Sequence, residues 1–236
     1  MIFPHHENEV AQSECANGVP FARYWMHNGY INIDNKKMSK SLHNFFTTRE
    51  VAEKYGYEAI RFLMLQAHYR SQINYTTEIV ESCAAALERL YNCRKNMAFA
   101  LENAKSGGFL EGQKEALSSY KDDFIRAMED DLNTADAISA IFEMVREINA
   151  RLQEAPSREY ISCASALFEE LCGVLGLLYS RKEEEIPADI LELAEARAKA
   201  RMEKDWARAD ALRDEINAKG FVIEETKQGT KISKRS

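Results

Sequence analysis

Hydrophobic residues recur at helical spacing through the middle of the chain, over residues 48–180. Residues three and four apart share one face of a helix, so each such stripe predicts an amphipathic helix with a buried face. Gly107-Gly108 and Pro156-Ser157 interrupt the pattern and predict loops. The sequence therefore predicts successive helices packed as an antiparallel bundle. The stripes lie in residues 79–90, 138–148 and 161–175.

A mixed pattern precedes the helices, in residues 1–47. Pro4 suits the first turn of a helix. The following stretch "ARYWMHNGYINID" is typical of a strand, a turn and a second strand. The sequence "TTRE" at Thr47–Glu50 fits a capping box, in which a Thr and a Glu three residues later satisfy each other's backbone donors. This box predicts where the first of the central helices begins.

The C-terminal part begins at the charged, proline-containing stretch "SRKEEEIPAD", which is a candidate linker. One or two helices are predicted through "ARADALRDEINAKG", with Gly220 as a natural helix stop. The segments "FVIEET" and "TKISKR" then predict a short hairpin. From Thr226 onward there are basic residues and no acidic ones, which predicts a small basic patch. These basic residues are Lys227, Lys231, Lys234 and Arg235.

Composition narrows the class of protein. With 45% hydrophobic and 29% charged residues, the 236-residue chain is typical of a folded globular protein. Its formal net charge of -7 argues against a general nucleic-acid binder, so any such contact is expected to be local. Five cysteines without a CxxC pair predict free thiols in a reducing cytoplasm. No apolar run has the length of a membrane span, and the N-terminus does not look like a signal peptide.

The stretch "FPHHENE" (Phe3–Glu9) contains two histidines and two carboxylates within five residues. On a helix, His5 and Glu9 lie four residues apart on one face, and His6 also neighbours Glu9. Imidazole nitrogen and carboxylate oxygen are both zinc ligands, and this spacing lets both reach one ion. A closed zinc site needs more ligands than these two. From spacing alone, half a metal site and an ordinary polar helix start both remain open.

A second candidate is the lysine-serine loop, "KKMSKSLHN" at Lys36–Asn44. Its ammonium groups can contact phosphate oxygens, while hydroxyls and backbone amides add donors. A lysine that arrives as charge spreads over a transferring phosphoryl group lowers the barrier electrostatically. The alternative is a solvated basic loop without a ligand.

The two motifs together resemble those of the cysteinyl-tRNA synthetases, a family of class I aminoacyl-tRNA synthetases. "FPHHENEVAQS", "YWMHNG" and "KMSKSLHNFF" occur in the family's order. The resemblance continues through "HYRSQINYT", "AALERLY", "MEDDLNTADA" and "RADALRDEINAKGFVIEETKQGT", so it covers essentially the whole chain. Several ordered motifs are far more specific than any one of them.

The resemblance implies a role for each motif. In the family, the residues matching His5 and Glu9 are two of four zinc ligands, completed by two cysteines from earlier in the chain. That zinc binds the thiolate of substrate cysteine, and thiolate is a much better zinc ligand than the hydroxyl of serine. The second lysine of the "KMSKS" motif, here Lys40, contacts ATP and stabilises the activation transition state, with Lys37 assisting. Ser39 and Ser41 complete the implied contacts to ATP, which is used with Mg²⁺.

The family's earlier His-Ile-Gly-His signature and both zinc cysteines do not occur in this sequence. Met1 falls where the family sequence is in mid-domain, so the chain is expected to be the C-terminal part of a synthetase. Two ligands cannot close a zinc shell, so weak or no zinc retention is expected from this polypeptide alone. His43 also departs from the family, which usually has Gly there.

The implied fold class is mainly α. A remnant of a Rossmann-type catalytic domain (1–47) precedes a connecting segment that contacts the tRNA stem (48–75). An antiparallel helical bundle of the DALR type (76–182) and a small α+β anticodon-binding domain (183–236) follow. The implied partner is cysteine tRNA, whose anticodon is GCA. Candidate contacts are Trp206, Arg208 and Lys227, although Trp206 could instead anchor the core of the C-terminal helices.

The implied function is ATP-dependent activation of L-cysteine and its transfer to cysteine tRNA, by a cytoplasmic full-length enzyme that is monomeric. A chain without the signature and the zinc cysteines is expected to be inactive alone. The alternative is a non-catalytic tRNA-binding module. A related cysteine ligase of mycothiol biosynthesis shares the catalytic motifs, but the resemblance to the anticodon-binding domain through Thr230 counts against it.

Overall fold

A computed structural model of the chain describes residues 2–37, 47–179, 186–226 and 229–234. Most of these residues are helical, as the hydrophobic periodicity predicts. A π-helical segment at Ile2–His6 leads into the first α-helix. The remaining elements, in chain order, are α1 (Glu7–Asn17), β1 (Ile31–Ile33), β2 (Lys36–Lys37), α2 (Thr48–Tyr55), α3 (Tyr57–Leu65), β3 (Ile73–Tyr75), α4 (Thr77–Asn103), α5 (Gln113–Glu129), α6 (Thr134–Leu152), α7 (Arg158–Val174), α8 (Ala188–Met202), α9 (Trp206–Ala218), β4 (Phe221–Thr226) and β5 (Gly229–Lys234).

Side-chain caps fix where the central helices begin. The predicted capping box is present before α2. The Thr47 amide donates to Glu50 Oε2 at 2.6 Å, and the Glu50 amide donates to Thr47 Oγ1 at 3.2 Å. The Thr47 amide and the Thr47 hydroxyl both donate to the Glu50 carboxylate, and they hold its pKa below its usual value. Helices α4, α6 and α7 begin in a similar way, with caps at Thr76, Asn133 and Ser157.

One large hydrophobic core joins helices α2 to α7. The long helix α4 is central to it, since it packs against α2, α3, α6 and α7. The predicted stripes are confirmed as core faces, because most of their members are buried. Three of the five cysteines lie in this core, and burial raises the pKa of Cys83 to about 11 and of Cys93 to about 12. The fully buried stripe members include Cys83, Leu90, Ile141, Ile148, Ile161, Ala164 and Phe168.

The N-terminal strands form a small three-stranded sheet in the order β2-β1-β3. β1 and β2 pair antiparallel, while β1 and β3 pair parallel across about forty intervening residues. The turn between β1 and β2 consists of Asp34 and Asn35, which both have positive φ, at 49° and 59°. Two such residues make the type I′ turn that suits the twist of a hairpin. Of the strand, turn and second strand predicted in "ARYWMHNGYINID", only the final strand is present, as β1, and the prediction of a strand earlier in that stretch is wrong. The hairpin turn begins only at Asp34, the last residue of the stretch, and the partner strand β2 follows it.

Three side chains hold the loop that leaves α7. Glu58 of α3 accepts hydrogen bonds from the Leu178 amide and from the Tyr91 hydroxyl, the latter at 2.7 Å. Arg61 of α3 donates from Nε to the Leu175 carbonyl at 2.6 Å, and Arg94 of α4 donates to the Leu178 carbonyl at 3.0 Å. A buried carboxylate is stable only with such partners. These hydrogen bonds hold the loop against both α3 and α4.

The C-terminal elements have a small core of their own, around Ile190, Ala194 and Ile216. Helices α8 and α9 pack on each other, and Lys219 donates to Asp189 at 2.7 Å. The predicted helix stop is present, with Gly220 at φ 83° following the C-cap residue Lys219 of α9. The predicted hairpin is present as the antiparallel pair β4-β5. No helix within the described ranges combines the length and the apolar character that a membrane span requires.

Replacing Glu58 tests the role of its buried carboxylate, which is 5% exposed. We expect Glu58→Ala to lower the free energy of unfolding by about 2–4 kcal/mol, because it leaves two buried donors without an acceptor. Glu58→Gln keeps one side-chain oxygen and should cost clearly less. Urea unfolding followed by circular dichroism at 222 nm measures both values. Equal values for the two variants would contradict this account.

Candidate functional site

His5 and Glu9 lie near the N-terminus, and both side chains are exposed. His5 belongs to the π-helical segment and Glu9 to the first turn of α1. His6 is half-buried instead. Its ring stacks on His27 with centroids 5.0 Å apart and on Trp25 at 6.4 Å. Sequence spacing did not indicate that these three rings meet, because the two segments are separated by α1.

His5 and Glu9 carry side chains of the kinds that bind zinc. Imidazole nitrogen and carboxylate oxygen fit the ion chemically, and both side chains are open to solvent. Across the described ranges, no group of three or more His, Cys, Asp or Glu side chains is placed to hold one metal ion. The assignment of His5 and Glu9 to a zinc site therefore stays a prediction.

The lysine-serine loop begins in the sheet. Lys36 and Lys37 form β2, where their backbones pair with Ile33 and Asn32 of β1. The other candidate residues of the loop, Ser39, Lys40 and Ser41, lie outside the described residues, as does His43. The hairpin therefore defines where the loop starts and in which direction the chain enters it.

β1 is held by the segment that follows α3. The Gly29 amide donates to the Tyr69 carbonyl at 2.7 Å, and the Ile73 amide donates to the Tyr30 carbonyl at 3.0 Å. The side chain of Asn74 accepts from the Asn35 amide at 2.7 Å, so β3 also holds the turn. A Cβ atom at Gly29 would overlap the carbonyl group of Ser71. The close approach of the two segments therefore requires glycine at this position.

The candidate tRNA contacts are at the start of α9. Trp206 is its first residue and is 59% exposed, so the alternative that it anchors the core is wrong. Arg208 lies two residues later, and its amide donates to the capping carboxylate of Asp205 at 3.1 Å. Lys227 lies outside the described residues. An exposed indole can stack on a single-stranded base.

Comparison with known families gives three matches in chain order. Residues 1–85 match the family described as tRNA synthetases class I (C) catalytic domain. Residues 123–179 match the DALR domain, and residues 183–232 match the cysteinyl-tRNA ligase anticodon binding domain.

Two curated proteins are similar to nearly the whole chain. Cysteine--tRNA ligase of Caldicellulosiruptor saccharolyticus is 52% identical over 99% of this chain and 51% of its own length. Cysteine--tRNA ligase of Lachnospira eligens is 47% identical over 99% of this chain and 50% of its own length. The chain thus spans about half the length of the curated relatives that it matches.

A solved structure resembles the fold. The crystal structure of the ternary complex of Agrobacterium radiobacter K84 agnB2 LeuRS, tRNA and LeuAMS matches with a TM-score of 0.50. It covers 64% of this chain and 22% of that chain at 20% identity, so it bears on the fold alone. The family matches place the chain among the class I aminoacyl-tRNA synthetases. Within that class, the chain belongs to the cysteinyl-tRNA ligase family.

Replacing Gly29 with Ala tests the close approach of β1 to the segment after α3. We expect amide exchange at Asp34 and Ile73 to become at least about tenfold faster, because the added methyl group forces the two segments apart. Hydrogen exchange followed by mass spectrometry measures this effect. Gly107→Ala is the matched control, since its Cβ would meet only ordinary contact with Ser157. An unchanged rate in Gly29→Ala would contradict the proposed steric limit.

Proposed function

We propose that the chain is the C-terminal part of a cysteine-tRNA ligase, which activates cysteine with ATP and transfers it to cysteine tRNA. The observation that supports this most strongly is identity of 52% and 47% to two cysteine--tRNA ligases over 99% of the chain. Because the chain spans about half of those relatives, we propose that it is inactive without the remainder of the catalytic domain. The complete enzyme would act as a monomer in the cytoplasm.

The proposed metal ligands are His5 and Glu9. With zinc bound by these residues and by further ligands outside the chain, the ion would supply a site for the thiolate of substrate cysteine. The exposure of both side chains supports this role, since neither is engaged in the core. Serine would be rejected because its hydroxyl is a poorer zinc ligand than a thiolate.

The proposed catalytic lysines are Lys37 and Lys40, with Ser39 and Ser41 as further contacts to ATP and its Mg²⁺. An ammonium group close to the transferring phosphate offsets negative charge as the adenylate forms. The backbone of Lys37 in β2 supports this proposal, because the sheet fixes the point at which the loop begins. We assign Lys40 the main role and Lys37 the assisting one.

We propose four functional parts. Residues 1–47 complete the Rossmann-type catalytic domain, and residues 48–75 connect it to the helices and contact the tRNA stem. Residues 76–182 form an antiparallel bundle along the inner side of the tRNA. Residues 183–236 form a small α+β domain that meets the GCA anticodon, where Trp206, Arg208 and Lys227 contact the RNA. The match of residues 183–232 to an anticodon binding domain supports the last assignment.

The second candidate function is a tRNA-binding module without catalysis. It is favoured by the match of residues 183–232 to an anticodon binding domain, which concerns binding of tRNA and not the reaction. Amino-acid activation separates the two candidates. The chain is mixed with the N-terminal half of a related ligase, and cysteine-dependent pyrophosphate exchange is measured. Exchange activity in the mixture would favour the ligase.

Binding to cysteine tRNA tests recognition by this chain. We expect tighter binding to tRNA with the GCA anticodon than to the same tRNA with an altered anticodon, at moderate salt. Trp206→Ala should weaken binding of the GCA tRNA by about 1–3 kcal/mol with little change in the salt slope, if the indole stacks on a base. Arg208→Ala should instead weaken both complexes and reduce the salt slope by about one, if the arginine contacts phosphate. Fluorescence anisotropy at two salt concentrations measures these affinities. Equal binding of both tRNAs by the unmodified chain would contradict anticodon recognition here.

Zinc titration tests the half-site. We expect the chain alone to bind zinc weakly, and to lose even this binding in His5→Ala, because two ligands leave the coordination shell open. Isothermal titration calorimetry measures the affinity, and Cys163→Ser is a control that removes an exposed thiol far along the chain. Tight, stoichiometric binding that survives His5→Ala would contradict the assignment.

A further inference from the structure

Two sequence motifs that the proposed chemistry does not use meet at Asp131. One is the segment "HYR", residues His68–Arg70, which follows α3. The other is the turn "DDLN", residues Asp130–Asn133, which joins α5 to α6. About sixty residues separate the two motifs in sequence. Their contact therefore joins the segment between α3 and β3 to the turn between α5 and α6.

All three side chains of the first motif converge on Asp131. The Tyr69 hydroxyl donates to Asp131 Oδ1 at 2.9 Å, and the Arg70 guanidinium lies 3.2 Å from Oδ2. Arg70 Nε also donates to the Tyr69 hydroxyl at 3.0 Å, which closes a ring of bonds. The His68 ring accepts the Arg70 amide at Nδ1, so its Nε2 carries the proton and donates to the Asp131 carbonyl at 3.1 Å.

The backbone of the α5-α6 turn holds Asp131 in position for these contacts. Asp131 and Leu132 both have positive φ, at 53° and 56°, which is unfavourable for leucine in particular. Backbone bonds hold the turn in place, from the Leu132 amide to Met128 and from the Asn133 amide to Ala127. Leu132 is 44% exposed, so core packing does not compensate for its strained backbone. Strain of this kind persists where the surrounding structure enforces it.

From Asp131 a continuous set of bonds leads to the lysine-serine loop. The Tyr69 carbonyl accepts from the Gly29 amide, directly before β1. β3 pairs with β1, and the Tyr75 carbonyl accepts from the Asp34 amide in the turn before β2. β2 ends at Lys37. Each link is a hydrogen bond or a strand pair, and together they connect the α5-α6 turn to the start of the loop.

We propose that Asp131 is a positioning residue for the lysine-serine loop, acting through residues 68–70 and β1; this rests on the proposed function, in which the lysines of that loop contact ATP. Asp131 touches no substrate in this role. It holds residues 68–70, which bond to the segment before β1, against the turn between α5 and α6. The β1-β2 hairpin then keeps its position when a triphosphate binds. A loop displaced by even about 1 Å loses much of its electrostatic effect on the reaction.

Hydrogen exchange in the 236-residue chain tests this coupling. In Asp131→Asn we expect the amides of Gly29, Asp34 and Ile73 to exchange about three- to tenfold faster, a change typical of losing one charge-assisted bond. Asparagine tolerates positive φ as aspartate does, so this variant leaves the turn intact. Tyr69→Phe removes the hydroxyl from the other side and should produce the same change. Because both variants break the same ring of bonds, the double variant should add little to the larger single effect.

Asp130→Asn is the matched control. It makes the same change of charge one residue away, and within the described residues the Asp130 side chain has no hydrogen bond or ion pair. We expect its exchange rates to equal those of the unmodified chain. The amides of Ile141 and Met144 in α6 report on the helical core and should keep their rates in every variant.

The result that would overturn the proposal is a rate at Gly29, Asp34 and Ile73 that is the same in Asp131→Asn and in Asp130→Asn. Equal acceleration in α6 would also overturn it, because Asp131 would then stabilise the fold without positioning the hairpin. The outcome is independent of the proposed ligase activity. Failure of cysteine-dependent pyrophosphate exchange would contradict the proposed ligase function. The hydrogen-exchange rates of Gly29, Asp34 and Ile73 would still show whether Asp131 positions the hairpin.

Discussion

The packing of α4 against its neighbours is the constraint on which the rest of the described structure depends. This 27-residue helix contacts α2, α3, α6 and α7, and its buried face includes Val80, Cys83 and Leu90. An isolated helix gains little stability from its own hydrogen bonds, so burial of this apolar face supplies most of the stabilisation. The connecting helices and the loop after α7 take their positions from it, through Glu58 and Arg94.

Local signals in the sequence predicted the helical part well. The hydrophobic stripes, the capping box at Thr47 and the stop at Gly220 each depend on residues within one or two turns of a helix, and all three are present. The hairpin of β4 and β5 was predicted for a similar reason. Long-range features could not be predicted in this way. The parallel pairing of β1 with β3 joins segments about forty residues apart, and no local pattern specifies such a partner.

The candidate site shows the same division. Spacing predicted that His5 and Glu9 share one helix face, which stays a prediction, and the two lysines and two serines lie in one short segment of the sequence. Spacing gave no sign that His6, Trp25 and His27 stack, or that residues 68–70 converge on Asp131. The choice between a core and an exposed position for Trp206 was also open in the sequence, because an indole at the first position of a helix suits either. Resemblance to a family supplied the roles that physical reasoning on short motifs left undecided.

The small C-terminal core has a consequence for cooperativity. Ile190, Ala194 and Ile216 bury little apolar surface compared with the cluster around α4, so the two cores need not melt in one transition. A unit of this size lies at the low end of the stability range within one molecule. We expect this unit to open more readily than the helices packed around α4. Any partner that binds only its folded form would raise its stability by mass action, and would do so without a new contact to the larger core.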